Sequence, residues 1–510
     1  MPVPASSGLA RRLASNTLHA ATGRVAGLLL WLLLTPPLYR ALGPDGFAVW
    51  SLFYALTGYL TALDFGLSGA TLRHVAAARA RDDERSAGSF ATVSLLGYAA
   101  LGAVWIALVP VLREPILTFL RVPDVVRGAA DYAFLMGAIV FMLTGFGMTL
   151  VATLQAYGRF DLANVTTLTA TLVQGAGLAL CIARGWGLEG VVTSTAVGWL
   201  VAIVVGALAL RSGASAFAWA SPARSLEKLG ESVRFGAPLQ LANVLAVAHQ
   251  QLDKVLLARF VALGAVAPYE LGLRMATSAA TFPQLLMMAL VPTAAAFHAG
   301  GERARLAELH ERANRYVLFA AVIVTAAVLA GAPRLLAAWL GRADEPAALA
   351  LRGLMLAACA GLAAGVASVT ARGVGRTDLE AEFSGVALAV HLALGLWLVP
   401  ARGLEGALIA VVAGNVVGSL WFLARLALQL RWPFMRTVVR PLLVPGVAMV
   451  VGVFAAAAVD RTLPAAQGAL AWGGALVVGL VAALACALVA LAFRYVEWAE
   501  LRRLAGARSA

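Results

Sequence analysis

The sequence predicts an all-α polytopic membrane protein with 14 transmembrane helices, built as two parallel-repeat six-helix lobes plus two C-terminal helices. Three observations predict this fold: the apolar composition, the spacing of the apolar runs and an internal repeat. Of the 510 residues, 61% are hydrophobic and only 13% are charged. A soluble chain of this size could not bury so much apolar surface, because a folded domain still exposes a large polar shell. Lipid must therefore solvate most of the protein.

The apolar runs between charged or Gly/Pro-rich breaks have the length of single spans, since one span needs about 20 apolar residues. We place spans near residues 18–40, 47–71, 88–112, 129–157, 162–183, 190–210, 236–260, 266–297, 316–340, 346–370, 383–400, 404–424, 441–459 and 468–493. The first run continues past Arg24 into a full span without a small-residue cleavage site, so we expect a retained first helix.

The formal net charge of +13 is explained by topology. When the loops are assigned to alternate sides, most Lys and Arg residues fall on the side of the N-terminus, and the positive-inside rule makes that side cytoplasmic. We therefore expect both termini in the cytoplasm. A topological origin of the charge also removes the main reason to expect a nucleic-acid partner.

Two stretches about 217 residues apart resemble each other. The matched residues are Gly158-Arg159-Phe160-Asp161-Leu162 with Gly187-Leu188-Glu189-Gly190 and Gly198, and Gly375-Arg376-Thr377-Asp378-Leu379 with Gly403-Leu404-Glu405-Gly406 and Gly414. A shift of six spans preserves orientation, so the halves are expected to be parallel repeats that work by rocking one lobe against the other. The predicted domains are an N-lobe at 1–210, a cytoplasmic linker at 211–235, a C-lobe at 236–430, and two last spans with a cytoplasmic tail at 431–510.

Three basic residues are predicted to lie inside the membrane: Arg24, Lys254 and Arg274. A central charge costs about 2.5–3.5 kcal/mol on insertion scales, so a retained charge usually faces a cavity or a partner. Cations in both lobes suit an anionic substrate such as a phosphate. The alternatives stay open: Arg24 could snorkel to the interface, and Arg274 could form an i,i+4 salt bridge with Glu270.

The seventh predicted span carries a polar stripe. Gln240, Asn243, Gln250, Gln251 and Lys254 fall within about 100° of one another on a helix. Lipid contact explains such a stripe poorly, so we expect these side chains to bind substrate.

Two aspartates are candidates for ion coupling or for a gate. Asp64 lies near the inner end of the second span, and Asp253 lies beside the polar stripe. Either could instead be a structural partner of a basic side chain, Asp253 of Lys254 or of a neighbouring span. Coupling to H⁺ or to Na⁺ is left open, and no other cofactor is expected.

Motifs for enzymatic chemistry are absent from the sequence. It contains no HExxH, GxSxG, DxD or GxxxxGK[ST] motif and no zinc-spaced Cys/His set. The outward loops are short, so an enzyme is disfavoured. Glu302, Glu308 and Glu311 alternate with arginines and predict an amphipathic interfacial helix.

Short motifs in both predicted lobes resemble bacterial polysaccharide-unit flippases, the Wzx-like family. They are Leu42-Gly43 with Phe47 and Trp50, Leu63-Asp64-Phe65-Gly66-Leu67 with Ala70 and Arg73, and Leu252-Asp253-Lys254 with Val266, Tyr269, Leu271, Arg274 and Pro292. The resemblance extends over most of the chain to about residue 430. That family belongs to the multidrug/oligosaccharidyl-lipid/polysaccharide exporter superfamily, whose fold is two six-helix lobes, with two more helices in many flippases.

The resemblance implies translocation of an undecaprenyl-diphosphate-linked oligosaccharide across the bacterial inner membrane, from the cytoplasmic to the periplasmic leaflet. Arg24, Lys254 and Arg274 would then contact the diphosphate or sugar acids. Expected partners are this lipid-linked oligosaccharide, membrane lipid and polysaccharide assembly proteins. Three alternatives remain: a cation-coupled multidrug or peptidoglycan-precursor exporter of the same superfamily, a polytopic glycan polymerase or ligase, and a non-transporting scaffold.

Overall fold

The structure, a computed structural model, describes residues 7–495 except 65, 215, 288–289, 377, 434, 436–438 and 465–468. Side chains are described from residue 27 onward, but not at a few further positions within helices. The described residues form α-helices joined by short turns and contain no β-strand. The all-α class predicted from composition is therefore confirmed.

The helices follow one another with few connecting residues. The first eight are α1 (Ser7–Ala62), α2 (Leu67–Arg79), α3 (Glu84–Phe119), α4 (Asp124–Ala156), α5 (Phe160–Arg184), α6 (Gly187–Gly213), α7 (Pro222–Leu226) and α8 (Leu229–Phe260). The next eight are α9 (Val266–Leu285), α10 (Leu290–Ala299), α11 (Arg303–Leu340), α12 (Glu345–Gly373), α13 (Asp378–Arg402), α14 (Leu404–Leu430), α15 (Arg440–Thr462) and α16 (Ala469–Ala492).

The chain divides into two compact units. Unit 1 comprises residues 1–251 and 262–264, and unit 2 comprises residues 252–261 and 265–510, so that α8 begins in unit 1 and ends in unit 2. The predicted lobe boundaries at 210 and 236 stay a prediction.

Within unit 1, α1, α4, α5 and α6 pack against one another and α3 packs on α4. Val75, Phe90, Leu150, Leu154 and Leu210 belong to an apolar cluster there. Glycines allow the closest approaches, as expected for helices that must pack in lipid. At Gly145 of α4, for example, a Cβ atom would lie 2.2 Å from the Tyr98 ring of α3.

Within unit 2, α12 packs against α9, α11 and α14, and α13 packs along α14. Leu379, Phe422, Leu423 and Leu426 form an apolar cluster between these helices. The last two helices, α15 and α16, pack against each other and against α11. A cap begins α12, because the Asp344 side chain accepts a hydrogen bond from the Ala347 amide at 3.0 Å.

Helix α1 is much longer than one span. Its 56 residues would extend about 84 Å as one straight helix. Gly43 breaks it, with φ 67° and ψ 177°, and Pro44 follows. The break separates the first two predicted spans. The second ends at Ala62 rather than near residue 71, because the chain turns at Asp64 and Gly66 takes a positive φ of 69° before α2 begins.

Ten helices of the described chain are long and apolar enough to cross a membrane, or up to 11 if the bent pair of Gly27–Ala62 and Leu67–Arg79 is one span. The protein is therefore a multi-pass membrane protein. The predicted spans outside those ten correspond to the halves of α1, to α8 with its polar stripe, and to the interrupted pair α9 and α10. The prediction of 14 spans is consistent with this arrangement.

Two predicted elements have different boundaries in the structure. The predicted span 266–297 is interrupted, since α9 ends at Leu285 and α10 begins at Leu290. The predicted interfacial helix at residues 302–312 is not a separate element, because α11 runs without interruption from Arg303 to Leu340. Its charged first turns continue directly into the apolar span.

The sequence repeat corresponds to matching local structure. Gly158 and Gly375 both have positive φ, at 74° and 77°. In both units the arginine that follows bonds the aspartate two residues on, Arg159 to Asp161 at 3.0 Å and Arg376 to Asp378 at 2.7 Å. The helices that follow, α5 and α13, each have 25 residues, and the next pair, α6 and α14, each have 27. The two halves thus repeat turn, ion pair and helix lengths.

Candidate functional site

The candidate site is a group of buried ionisable side chains in unit 2. They come from the last turns of α8, the first turns of α9 and the middle of α13. A tight turn at Leu263–Ala265 connects α8 to α9 and lets neighbouring residues of one helix meet neighbouring residues of the other. Asp253 meets Tyr269, and Lys254 meets Glu270. The short connection therefore creates two contacts from two adjacent pairs of residues.

Asp253 is 0% exposed and has two polar partners. Its Oδ2 accepts the Tyr269 hydroxyl proton at 2.6 Å, and its Oδ1 lies 2.8 Å from Nε2 of His391. An ionised carboxylate only accepts hydrogen bonds, so we assign Nε2 of His391 as the donor. These two donors offset the cost of burying the carboxylate.

Glu270 connects two cations. Its Oε2 lies 2.8 Å from Nζ of Lys254, and its Oε1 lies 2.9 Å from Nε of Arg274. Glu270 and Lys254 are 4% and 3% exposed, whereas the Arg274 side chain keeps 20% of its surface accessible. The i,i+4 pair predicted between Glu270 and Arg274 is therefore present. Arg274 is the most exposed member of this triad.

The triad of Lys254, Glu270 and Arg274 has one excess formal positive charge. The neighbouring carboxylate of Asp253 carries one formal negative charge.

Unit 1 contains a smaller polar group around Asp64, which is 6% exposed. Its Oδ2 accepts the Tyr98 hydroxyl proton at 2.5 Å, and its Oδ1 accepts the Gly66 amide at 2.8 Å. Gly145 makes the room that the Tyr98 ring occupies. Asp64 is therefore a buried, hydrogen-bonded carboxylate at the turn between α1 and α2.

The residues of the polar stripe on α8 differ in how deeply they are buried. Gln240 is buried, and its Nε2 donates to the carbonyl oxygen of Ala62 in unit 1. Asn243 and Gln250 are exposed. Gln251 is half-buried, and its Oε1 is a buried oxygen without a hydrogen-bond partner in the described part of the chain. The side chain of Arg24 lies outside the described residues.

Sequence reasoning missed His391, Tyr269 and Tyr98 as partners of the aspartates. The only sequence signal for His391 is a histidine within the apolar run Ala387–Leu394. Its partner Asp253 is 138 residues earlier in the chain, so packing of α13 against α8 is needed to pair them. Within the described residues no group of three His, Cys, Asp or Glu side chains is arranged to hold a metal ion.

Comparisons with solved structures show that this fold is shared with membrane transporters. The inward closed structure of the lipid II flippase MurJ has a TM-score of 0.71 at 12% identity, covering 94% of this chain and 99% of that one. An inward-facing multidrug resistance MATE family transporter of the MOP superfamily has a TM-score of 0.68 at 16% identity, covering 79% of this chain and 95% of that one. Identities this low show a shared fold.

A relative identified by sequence is named as a transporter. A putative O-antigen transporter of Shigella flexneri is 30% identical over 129 residues, which are 25% of this chain and 30% of the relative. The chain thus matches less than a third of that relative's length. The relative and the structural neighbours are named for transport or flipping, in line with the expectation of a protein that is not an enzyme.

The family model described as polysaccharide biosynthesis protein matches residues 13–298. This range contains the motifs that resemble the flippases, including Leu63–Leu67 and Leu252–Lys254. Since the match covers more than half of the 510 residues, the chain belongs to the polysaccharide biosynthesis protein family.

Proposed function

We propose that the protein flips an undecaprenyl-diphosphate-linked oligosaccharide from the cytoplasmic to the periplasmic leaflet of the bacterial inner membrane by alternating access. The family, the O-antigen transporter relative and the MurJ-like fold support a lipid-linked saccharide as substrate. In this proposal both termini are cytoplasmic, and polysaccharide assembly proteins act on the same glycan.

The observation that carries the proposal is the excess positive charge of Lys254, Glu270 and Arg274 in a largely buried position. A diphosphate oxygen can replace Glu270 as the partner of Arg274 and form charge-assisted hydrogen bonds. A drug cation would meet Lys254 and Arg274 as like charges. The triad therefore favours an anionic headgroup over the cationic substrates of a multidrug exporter.

The other predicted contacts have supporting roles in the proposal. Arg24 would pair with the headgroup from the first helix. Asn243 and Gln250, which are exposed on α8, have amide groups that can donate to and accept from sugar hydroxyls. Gln240 and Gln251 would stabilise the position of α8 and offer the substrate further amide contacts.

We propose proton coupling through Asp253 and His391. Protonation of His391 leaves Asp253 paired and makes the group as a whole positive, which strengthens the attraction for the diphosphate. Loss of the proton weakens that attraction and assists release. Asp64, bonded to Tyr98, is the corresponding candidate for ion coupling or gating in unit 1.

Reconstituted vesicles test the substrate class. Purified protein in vesicles should translocate undecaprenyl-diphosphate-linked oligosaccharide and leave an ethidium-like drug cation where it was added. Drug translocation without lipid translocation would support the multidrug alternative, and conversion of the glycan without translocation would support the polymerase or ligase. Vesicles with lipid II report on the peptidoglycan-precursor alternative, and absence of any transport would leave a scaffold.

The coupling proposal has its own measurement. Translocation by the wild-type protein should respond to an imposed pH gradient and be indifferent to a Na⁺ gradient. His391→Gln keeps a hydrogen bond donor toward Asp253 but cannot gain a proton, so its rate should lose the response to pH. A Na⁺-driven rate that survives in His391→Gln would contradict proton coupling and leave the substrate assignment intact.

A further inference from the structure

A pocket lies in unit 2, where the charged first turns of α11 meet the chain after α14. It has a volume of about 430 Å³. The polar and aromatic side chains of its lining are Glu308, His310, Glu311, Asn314 and Trp432. None of these residues belongs to the group around Asp253 and Glu270, so the proposed transport chemistry does not account for the pocket.

His310 presents a hydrogen-bond acceptor to this pocket. The Thr370 hydroxyl donates its proton to the Val366 carbonyl at 2.9 Å, so its oxygen must accept from Nδ1 of His310, which is 3.0 Å away. In the neutral ring the other nitrogen, Nε2, is then an acceptor. That atom is buried and has no hydrogen-bond partner among the described residues.

The ring is neutral under ordinary conditions. His310 is 3% exposed, and it lies on the charged extension of α11 before the apolar span begins near residue 316. Burial lowers the pKa of His310 to about 4, against a smaller opposing effect of Glu311. Nε2 therefore stays an acceptor at neutral pH.

Asn314, one helical turn after His310, adds a second acceptor. Its side chain is 3% exposed, and its Oδ1 is buried without a hydrogen-bond partner in the described chain. A buried polar atom without a partner costs about 1–3 kcal/mol, so two such atoms at one pocket indicate a missing donor. Both acceptors point to the same kind of ligand.

The remaining lining favours a positively charged donor. Glu308 and Glu311 bring carboxylates, Glu308 already being paired with Arg312 at 2.7 Å. The ring of Trp432 lies 4.9 Å from the His310 ring and offers an aromatic face. The described lining residues include no Lys or Arg. Acceptors, carboxylates and an aromatic ring together suit a cation that donates hydrogen bonds.

We propose that this pocket binds a primary ammonium group, with Nε2 of His310 and Oδ1 of Asn314 as its acceptors and Trp432 beside it. A primary ammonium has three N–H donors and no acceptor, which complements this lining. Two sources carry that group: the headgroup of phosphatidylethanolamine and a free amine in solution. The pocket lies at the end of α11 that the topology predicted from the sequence places on the cytoplasmic side, where either source can reach it.

Thermal unfolding of the purified full-length protein tests the proposal. One arm uses nanodiscs of phosphatidylglycerol with or without phosphatidylethanolamine, and the other adds ethanolamine to phosphatidylglycerol nanodiscs, with ethylene glycol as the neutral comparison. A ligand that binds the folded state raises the unfolding midpoint. A rise with one probe alone supports the proposal and identifies the source, and a rise with both shows that the pocket accepts either. No rise with either probe, or an equal rise with ethylene glycol, overturns the proposal.

Substitutions in the pocket lining test whether the rise of the unfolding midpoint comes from binding in this pocket. Asn314→Leu removes an unpaired buried oxygen, so its midpoint without ligand should equal or exceed that of the wild type, and its apparent ammonium affinity should fall about tenfold. Trp432→Leu should weaken the response as well and serves if Asn314→Leu fails to fold. Asn415→Leu in α14, outside the pocket lining, should keep the full response. An undiminished response in both pocket variants would overturn the assignment.

Discussion

Asp253 and Lys254 are adjacent in α8 but belong to separate networks. Asp253 bonds Tyr269 and His391, while Lys254 bonds Glu270, so each charge is compensated by a different neighbour. Glu270 compensates two cations at once. Because a buried charge is stable only with its partners, removing Glu270 should have larger consequences than removing either cation.

The first prediction concerns this asymmetry. Glu270→Gln leaves Lys254 and Arg274 without their counter-charge and should lower the free energy of unfolding by about 3–5 kcal/mol. Lys254→Met leaves Glu270 paired with Arg274 and should cost clearly less. Chemical denaturation in detergent measures both changes in the free energy of unfolding. The double variant Glu270→Gln/Lys254→Met should be more stable than Glu270→Gln alone. The reverse order would contradict the shared-carboxylate arrangement.

The second prediction concerns the hydroxyl that serves Asp253. Tyr269→Phe deletes one of two donors to a fully buried carboxylate and should cost about 1–3 kcal/mol of unfolding free energy. The control is Tyr132→Phe, whose hydroxyl pairs with that of Thr193 at 2.7 Å in a partly buried position and should cost less. Equal losses of unfolding free energy in the two variants would show that the hydrogen bond from Tyr269 to Asp253 stabilises the protein no more than the bond between Tyr132 and Thr193.

At the scale of elements, close helix packing depends on particular glycines. At Gly272 of α9, a Cβ atom would lie 2.6 Å from the amide nitrogen of Leu351 and 2.7 Å from Cβ of Ala350, both in α12. Backbone cannot move as easily as a flexible side chain. The contact between α9 and α12 therefore positions Glu270 and Arg274, which lie two residues before and two residues after Gly272 on α9.

The third prediction tests that contact. Gly272→Ala should push α9 from α12 and cost about 1–3 kcal/mol of unfolding free energy. Gly473→Ala in α16, where a Cβ atom meets nothing within 4 Å, should be neutral or stabilising because alanine favours helix. Loss of stability at Gly473 with none at Gly272 would contradict the described packing of α9.

The repeat gives a fourth prediction at the same scale. Gly158 and Gly375 have nearly the same positive φ, and a Cβ atom at either would meet nothing within 4 Å. Each change to alanine should therefore cost about 1–2 kcal/mol from backbone strain alone. Similar unfolding losses in Gly158→Ala and Gly375→Ala would agree with structural equivalence of the two turns, and a large difference between them would oppose it.

At the scale of the whole molecule, composition and periodicity were sufficient for the fold class. Lipid solvation requires helices whose backbone groups bond internally, so apolar runs of span length predict helices directly. The repeat was visible in the sequence because both turns have a positive φ, which favours glycine, at Gly158 and Gly375. Breaks were harder to place: the end of the second span depends on the turn at Asp64, and a continuous α11 replaced a predicted separate interfacial helix.

The candidate site was only partly predictable for a related reason. The pair of Glu270 and Arg274 follows from i,i+4 spacing on one helix, which sequence shows. The pairing of Asp253 with His391 joins α8 to α13, and that of Asp64 with Tyr98 joins the turn after α1 to α3. Such contacts depend on how helices pack in three dimensions. Sequence indicated buried charges, and packing decided their partners.

The central claim is that the cations of the triad bind the diphosphate of the translocated lipid. The most direct measurement is the initial rate of undecaprenyl-diphosphate-linked oligosaccharide translocation in vesicles with equal amounts of folded protein. Arg274→Gln should reduce the rate at least tenfold, since a charge-assisted contact is worth about 1.5–3 kcal/mol. Arg334→Gln, which breaks a comparable pair with Asp460 at 2.7 Å outside the site, should leave it near the wild-type value. An unchanged rate in Arg274→Gln and in Lys254→Met would contradict the account.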